Sequence, residues 1–234
     1  MRKSYKILFP LLVLFNATSC AQQNYPDDER FKPWRIGAAI SYTHFSAVEQ
    51  AYGVSETGDW TSVMLPYGNL TGPRLDLENY QRNSYPEYDG NSLILNNILN
   101  FTPNQLGLGF RTLPDQVYVY WRNNCTDYAT VVDVTPKIKA AITKPYPHPS
   151  WRFEGENCYQ TDFIFGLLPD GRAKLWLEGC NIYTYVGEYQ PAKVMPPADP
   201  RKIKDKPIPW DKVNQVWYDK EKYKMQNIDD VVKL

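Results

Sequence analysis

The 234-residue chain has few of the side chains that most often bind metals or carry out redox chemistry. It contains two histidines, His44 and His148, and none of its four cysteines belongs to a Cys-x-x-Cys pair. Zinc and dithiol sites usually draw on these patterns, so the sequence predicts neither. The formal net charge is zero, which leaves no basic field to attract nucleic acid.

Catalytic motifs are also absent from the sequence. Ser46, His44 and Asp59 offer the residue types of a hydrolase triad, but no nucleophile-elbow motif surrounds them. We therefore expect no enzymatic activity, no cofactor and no metal. The alternative is an enzyme whose active site has no recognisable sequence motif. Acidic residues are densest in two stretches of the sequence, and neither stretch has the spacing of a calcium-binding loop. The first contains Glu154, Glu156 and Asp162, and the second contains Asp76, Glu78, Glu87 and Asp89.

The long apolar run of the chain lies at its N-terminus. Residues 7–15 are apolar, follow Arg2, Lys3 and Lys6, and lead through small residues to Cys20. This order is typical of a bacterial lipoprotein signal peptide over residues 1–19. The run is too short for a membrane-spanning helix, which needs roughly twenty residues.

Cleavage before Cys20 would leave this cysteine as a lipidated N-terminus, followed by a polar tether over residues 20–33. Ala21 follows where an aspartate would resemble an inner-membrane retention signal, so we expect anchoring to the outer membrane. The alternative is an ordinary secretory signal that is cut after Ser19 or Ala21.

Aromatic residues and proline are abundant, with 18 tyrosines, 7 tryptophans and 19 prolines in the whole chain. This composition predicts one mainly β domain over residues 34–190, built as an antiparallel sandwich or a curved meander sheet with one or two short α-helices. In the first half we expect strands at 34–42, 48–54 and 59–65, whereas 93–99 fits a short strand or a helix.

The second half shows clearer periodicity. Val117, Val119 and Trp121 alternate with other residues and predict a strand over 116–122. Thr135 is expected to cap a short helix that starts at Pro136. Further strands are expected at 129–134, 151–153, 161–168, 172–177 and 182–190. Residues 191–234 are expected to form a proline-rich arm and an amphipathic helix, over about 211–222, packed on the domain.

Three cysteines remain after Cys20, and we expect one disulfide among them. Pro169-Asp170-Gly171 is a turn signature. If Leu168 opposes Arg172 across this turn, Cys158 and Cys180 lie in diagonal reach at the open end of the hairpin. The sequence therefore favours this pair, with three buried thiols as the alternative.

A long polar stretch over residues 66–92 interrupts the predicted strands and is a candidate binding surface. Aromatic rings stack on sugars and also anchor protein partners at a low cost in entropy. The alternative is that the rings pack the loop onto the domain. The rings in or beside this stretch are Trp60, Tyr67, Tyr80, Tyr85 and Tyr88.

Two stretches, residues 113–142 and 162–194, resemble an uncharacterised family of bacterial lipoproteins, the domain of unknown function DUF2931. The resemblance rests on a strand that ends in Trp121, a polar turn, a second strand, a short helix and a G-L-x-P-x-G-x-x-x-x-W hairpin. In this chain the hairpin motif is formed by Gly166, Leu167, Pro169, Gly171 and Trp176.

The resemblance implies no activity, because its motifs are turns and core aromatics. By analogy with small envelope lipoproteins, the leading hypothesis is a non-enzymatic protein-binding factor, either an immunity or an accessory factor. The alternative is a glycan- or peptidoglycan-binding module that uses the loop aromatics. The expected partners are the membrane, through the lipid, and a protein.

Overall fold

The computed structural model describes residues 27–41, 43–44, 46–65, 85–95, 103–123, 125–197 and 207–233. In the described residues, no helix combines the length and apolar character that crossing a bilayer requires.

The described residues are mostly strand. The strands are β1 Arg35–Ala39, β2 Ser46–Ser55, β3 Trp60–Leu65, β4 Leu93–Ile94, β5 Asn104–Gln105, β6 Gln116–Asn123, β7 Thr126–Asp133, β8 Tyr146–Pro147, β9 Asn157–Cys158, β10 Asp162–Leu167, β11 Ala173–Gly179, β12 Ile182–Tyr189, β13 Lys193–Met195, β14 Val216–Trp217 and β15 Lys224–Asn227. The helices are α1 Pro136–Thr143, α2 Trp210–Val213 and α3 Ile228–Val231, with a 3₁₀ turn at Trp151–Phe153.

Two sheets pack face to face, which confirms the mainly β fold. A six-stranded sheet has the order β13-β7-β6-β2-β3-β5, and a five-stranded sheet has the order β1-β10-β11-β12-β15. The core between them takes Val119 and Trp121 from one sheet and Phe163 and Phe165 from the other. The inward side chains of β6 are Val117, Val119 and Trp121, as the alternation predicts.

The central strands of the five-stranded sheet, β10 and β11, are buried on both faces. All six residues of β10 are buried, because the C-terminal segment covers the outer face and forms a second apolar cluster that includes Val213 and Tyr223. Strands β10, β11 and β12 form the expected antiparallel meander, whereas β1 and β15 join its two edges in parallel. The sandwich therefore carries a third layer on this side.

Helix α1 forms where the sequence places it. The Thr135 hydroxyl accepts a hydrogen bond from the backbone N–H of Ile138 at 3.3 Å, and Pro136 stands at the first helical position. The buried side of the helix, Ile138 with Ala141 and Ile142, joins the core between the sheets.

Two expected elements are wrong. Helix α2 ends at Val213 and does not run to residue 222, because the backbone at 215–217 pairs with β4: Leu93 N–H donates to Gln215 O and Leu95 N–H to Trp217 O. The expected strand at 151–153 is the exposed 3₁₀ turn, which the Ser150 hydroxyl caps at its start.

The hairpin of β10 and β11 has the register in which Leu168 opposes Arg172. At its open end Cys158 and Cys180 form a disulfide, with a Cα–Cα distance of 5.7 Å. The third cysteine, Cys125, is an exposed thiol in the turn between β6 and β7.

Candidate functional site

A groove lies on the outside of the third layer, between residues 85–92 and residues 215–221. We call it the aromatic groove. It has a cavity volume of about 600 Å³, which is in the range of small-ligand and peptide sites. Tyr85 and Trp217 line it, with their ring centroids 4.6 Å apart and their planes at 75°.

Backbone pairing holds the two sides of the groove together. Strands β4 and β14 run parallel, with Leu93 opposite Val216 and Ile94 opposite Trp217. Tyr88 supports the Trp217 ring from beneath, at 5.7 Å between centroids. Tyr88 is 1% exposed, and its hydroxyl donates to Ser92 O at 3.0 Å. The Trp217 ring is therefore held in place by contacts within the domain.

The rim of the groove is acidic. Its ionisable side chains are Glu87, Asp89, Asp219, Glu221 and Lys220, so carboxylates outnumber ammonium groups four to one. This imbalance favours a cationic group in the groove, beside the face of Trp217.

Two of the four rim carboxylates also shape the groove. Asp89 accepts hydrogen bonds from the N–H groups of Asn91 and Ser92, at 2.9 and 2.8 Å. Burial opposes ionisation of this carboxyl, but the two N–H donors, the Ser92 hydroxyl and the charge of Lys212 together outweigh it and hold the pKa of Asp89 below its usual value. Asp219 accepts from the N–H of Glu221 in the same manner, at 3.0 Å.

The five aromatic residues that the sequence predicts as a binding surface do not form one surface in the structure. Tyr85 lines the groove, and Tyr88 lies buried below it. Trp60 is 8% exposed and stacks on Phe110 inside the sandwich, so it is a core residue and not part of a surface. Tyr67 and Tyr80 lie outside the described residues.

Sequence reasoning missed Trp217 as a groove residue, because its spacing from Val213 fits a helical stripe. Its true partner segment, residues 93–95, lies more than 120 positions earlier in the chain. The signal that favours a strand is local: Val216 and Trp217 are a β-branched and an aromatic residue in sequence.

A second aromatic surface lies on the outer face of the six-stranded sheet. The rings of Tyr52 and Tyr118 stack at 4.8 Å, and those of Tyr52 and Tyr120 at 6.1 Å. Burial and the neighbouring Tyr120 hydroxyl raise the pKa of Tyr52 to about 12. The alternation that buries Val119 points these tyrosines outward, which the sequence could have revealed. All three are half-buried on a sheet face rather than in a groove.

A row of ionisable side chains crosses the outer face of the five-stranded sheet. Register places Arg35, Asp162, Glu178 and Tyr183 on neighbouring strands in one line. Arg35 makes a two-pronged ion pair with Asp162. Burial, and then the charge of Asp162, raise the pKa of Glu178 to about 7. Since Asp162 is 2% and Glu178 9% exposed, these two carboxyl groups are closed to a substrate.

The residues of the imagined hydrolase triad do not come together. Ser46 begins β2, and its hydroxyl accepts from the Asn123 amide. Asp59 lies in the turn beyond Ser55, at the other end of this strand, which is about 30 Å long. The His44 ring contacts the hydroxyls of Ser41 and Thr43 at 3.2 and 3.0 Å.

The remaining carboxylates do not form a metal site in the described residues, where no three histidine, cysteine, aspartate or glutamate side chains cluster in a way that could hold an ion. Glu154 and Glu156 lie on an exposed hairpin, and Asp162 faces Arg35 instead. Among the described residues, the aromatic groove brings two aromatic rings in edge-on contact and four carboxylates to one cavity, and we take it as the candidate binding site.

Comparison with known families matches residues 21–226 to the model described as a protein of unknown function, DUF2931. The match covers most of the chain and reaches into the N-terminal half, so the chain belongs to this family. Comparison with curated proteins and with solved structures finds no match.

Proposed function

We propose that this DUF2931 protein is a lipoprotein, anchored to the outer membrane through Cys20, that binds a partner protein in the aromatic groove. It acts there without catalysis, as an immunity or accessory factor. The observation that carries this proposal is the groove itself, where Tyr85 and Trp217 form the walls and carboxylates form the rim.

The chemistry of the groove defines the partner surface that fits it. Aromatic side chains on a supported backbone give large contact area for a small loss of entropy, as in the hot spots of protein interfaces. An acidic rim beside Trp217 selects a lysine or arginine side chain, which gains both ion pairing and contact with the ring. The expected partner therefore presents a basic residue on a protruding segment.

The test compares binding by the native lipoprotein and by groove variants. The protein is extracted from its own membranes in detergent and used to capture partners, which mass spectrometry identifies. The dissociation constant of the dominant partner is then measured with Tyr85→Ala and with Glu221→Lys. Each variant is expected to weaken binding by about thirtyfold, the effect of losing roughly 2 kcal/mol at a hot spot.

Matched variants on other surfaces control for general effects. Tyr118→Ala removes a tyrosine from the outer sheet face, and Glu56→Lys reverses an exposed charge in the β2–β3 turn. Both are expected to bind as the native protein does. If Tyr118→Ala weakens binding and Tyr85→Ala does not, the groove is not the site.

Glycan or peptidoglycan binding is the second candidate, because the groove also offers ring faces and polar groups, including the side-chain carbonyl of Gln215, whose amide nitrogen donates to Asp211 O. In that case soluble peptidoglycan fragments bind the native protein and bind the Tyr85→Ala variant more weakly. Protein capture then yields no partner whose binding depends on the groove residues. Acylation of Cys20 is tested separately, by mass spectrometry of the N-terminal peptide of the extracted protein.

A further inference from the structure

The exposed large apolar side chains of the described residues are concentrated at one end of the domain. Four of the seven lie on two loops there: Leu106 at 64%, Leu108 at 98%, Trp151 at 81% and Phe153 at 45% exposure. Side chains of this size are normally placed inside a protein. Their exposure on neighbouring loops indicates contact with something outside it.

The first loop, and the base of the hairpin that carries the second loop, lie beside the end of the N-terminal tether. Leu108 borders a cavity together with Lys32 and Pro33, and the backbone N–H of Arg111 donates to the Asp27 carboxylate at 3.2 Å. The first loop therefore lies against residues 27–33. We call residues 27–33, together with the parts of the domain that contact them, the tether end.

The second loop is the tip of a hairpin over residues 146–158, whose strands β8 and β9 pair at its base. Tyr159, the residue after this hairpin, packs edge-on against Phe31 of the tether with centroids 4.7 Å apart. The Cys158–Cys180 disulfide joins the same base to the turn between β11 and β12. Trp151 and Phe153 therefore extend from a hairpin that is fixed at the tether end.

The length of the tether limits how far this end can lie from the lipid. Seven peptide units separate Cys20 from Asp27, and a fully extended chain covers about 25 Å over that length. If Cys20 is acylated, Asp27 lies within that distance of the bilayer surface. The tether end is the part of the domain that this short connection keeps near the membrane.

We propose that the tether end rests on the membrane and inserts Trp151, with Phe153 and Leu108 beside it, among the lipid acyl chains. The inference rests on the proposed acylation of Cys20. Tryptophan suits this position, because its ring is apolar and its N–H can remain at the headgroup level. The lipid then tethers the domain, and the loops orient it.

The charges at the tether end offer no net attraction to anionic headgroups. Arg30 is paired with Asp28, and Lys32 lies 3.7 Å from Asp162. Arg152 stands over the Trp151 ring, and Glu154 and Glu156 follow it on the hairpin. No excess of positive charge results, so insertion is expected in vesicles of zwitterionic lipid alone.

The test uses the full-length native lipoprotein reconstituted into phosphatidylcholine vesicles. Bromine atoms on the acyl chains quench a tryptophan that enters the bilayer. Emission is compared between brominated and ordinary vesicles for the native protein and for Trp151→Phe. Trp151→Phe retains an aromatic ring at this position but removes the fluorescent reporter.

Trp210→Phe is the matched control. Trp210 is also exposed, and it lies near Arg172 at the opposite end of β10, about 20 Å along the strand from Asp162. The native protein and Trp210→Phe are expected to lose the same emission in brominated vesicles. This loss is at most about one seventh of the emission of the native protein if all seven tryptophans emit equally, and it is absent from Trp151→Phe.

The outcomes separate this inference from the proposed function. If acylated protein sediments with the vesicles but shows no quenching that depends on Trp151, the inference is overturned and the anchoring stands. A tether end that contacts a protein partner instead of lipid would give this same result. If Cys20 carries no lipid and the protein does not sediment, the inference and the proposed anchoring fail together, whereas binding in the groove is decided by the capture experiment above.

Discussion

Replacing Glu178 by glutamine removes a carboxyl group whose ionisation the fold opposes. Burial and the nearby Asp162 raise the pKa of Glu178 from 4.5 to about 7, and the charges of Lys32, Arg35 and Lys222 offset only part of this effect. Because the folded pKa lies above the unfolded one, the folded state binds the proton more tightly between these values. The free energy of unfolding therefore falls as the pH rises from 4.5 to 7.

The size of this effect follows from the two pKa values. At about 1.4 kcal/mol for each pH unit, the difference between 4.5 and about 7 gives about 3 kcal/mol. A glutamine does not ionise, so Glu178→Gln is expected to be more stable than the native protein at pH 8 by as much as about 3 kcal/mol. Near pH 4.5 the advantage disappears.

Urea denaturation at pH 5 and pH 8 measures the difference, with the native protein, Glu178→Gln and the exposed control Glu56→Gln. The control is expected to follow the native protein at both pH values. The reasoning is refuted if Glu178→Gln and the native protein lose the same stability between pH 5 and pH 8, or if the variant is the less stable one at pH 8.

Three further changes test the packing by the same denaturation assay. Replacing Cys158 and Cys180 by serine opens a loop with a sequence separation of 22 residues and is expected to cost about 3 kcal/mol; an unchanged stability would show that the disulfide constrains little. Gly171→Ala places a Cβ atom 2.3 Å from the Tyr128 ring at a φ of +94°, so a loss of more than about 2 kcal/mol is expected and a neutral effect would contradict this packing. Thr135→Ala removes the side-chain cap of α1 and is expected to cost about 1 kcal/mol, whereas no loss would mean that solvent replaces the cap.

Local patterns predicted the parts of the fold that local chemistry determines. Alternation identified the buried face of β6, and Thr135-Pro136 located the start of α1. The Pro169-Asp170-Gly171 turn set the register of the hairpin and with it the approach of Cys158 to Cys180. In each case the residues that determine the structure lie within about twenty positions of one another.

The third layer could not be predicted in this way, because it depends on contacts between distant segments. The periodicity of residues 211–222 suits a helix, but the backbone of Trp217 forms a hydrogen bond with the segment that contains β4 instead. The sequence favours a strand at Trp151 instead of the exposed 3₁₀ turn, because aromatic residues normally indicate a half-buried sheet. The groove forms from residues 85–92 and 215–221, which are distant in the chain, so sequence reasoning found Tyr85 and missed Trp217.

Photocrosslinking in living cells tests the central claim, that the groove binds a protein partner. A photoreactive amino acid is placed at Glu221 on the groove rim and, as a control, at Glu56 in the β2–β3 turn. The account predicts one protein adduct of defined mass from position 221 and none from position 56. The same adducts from both positions, or no protein adduct from position 221, would contradict it.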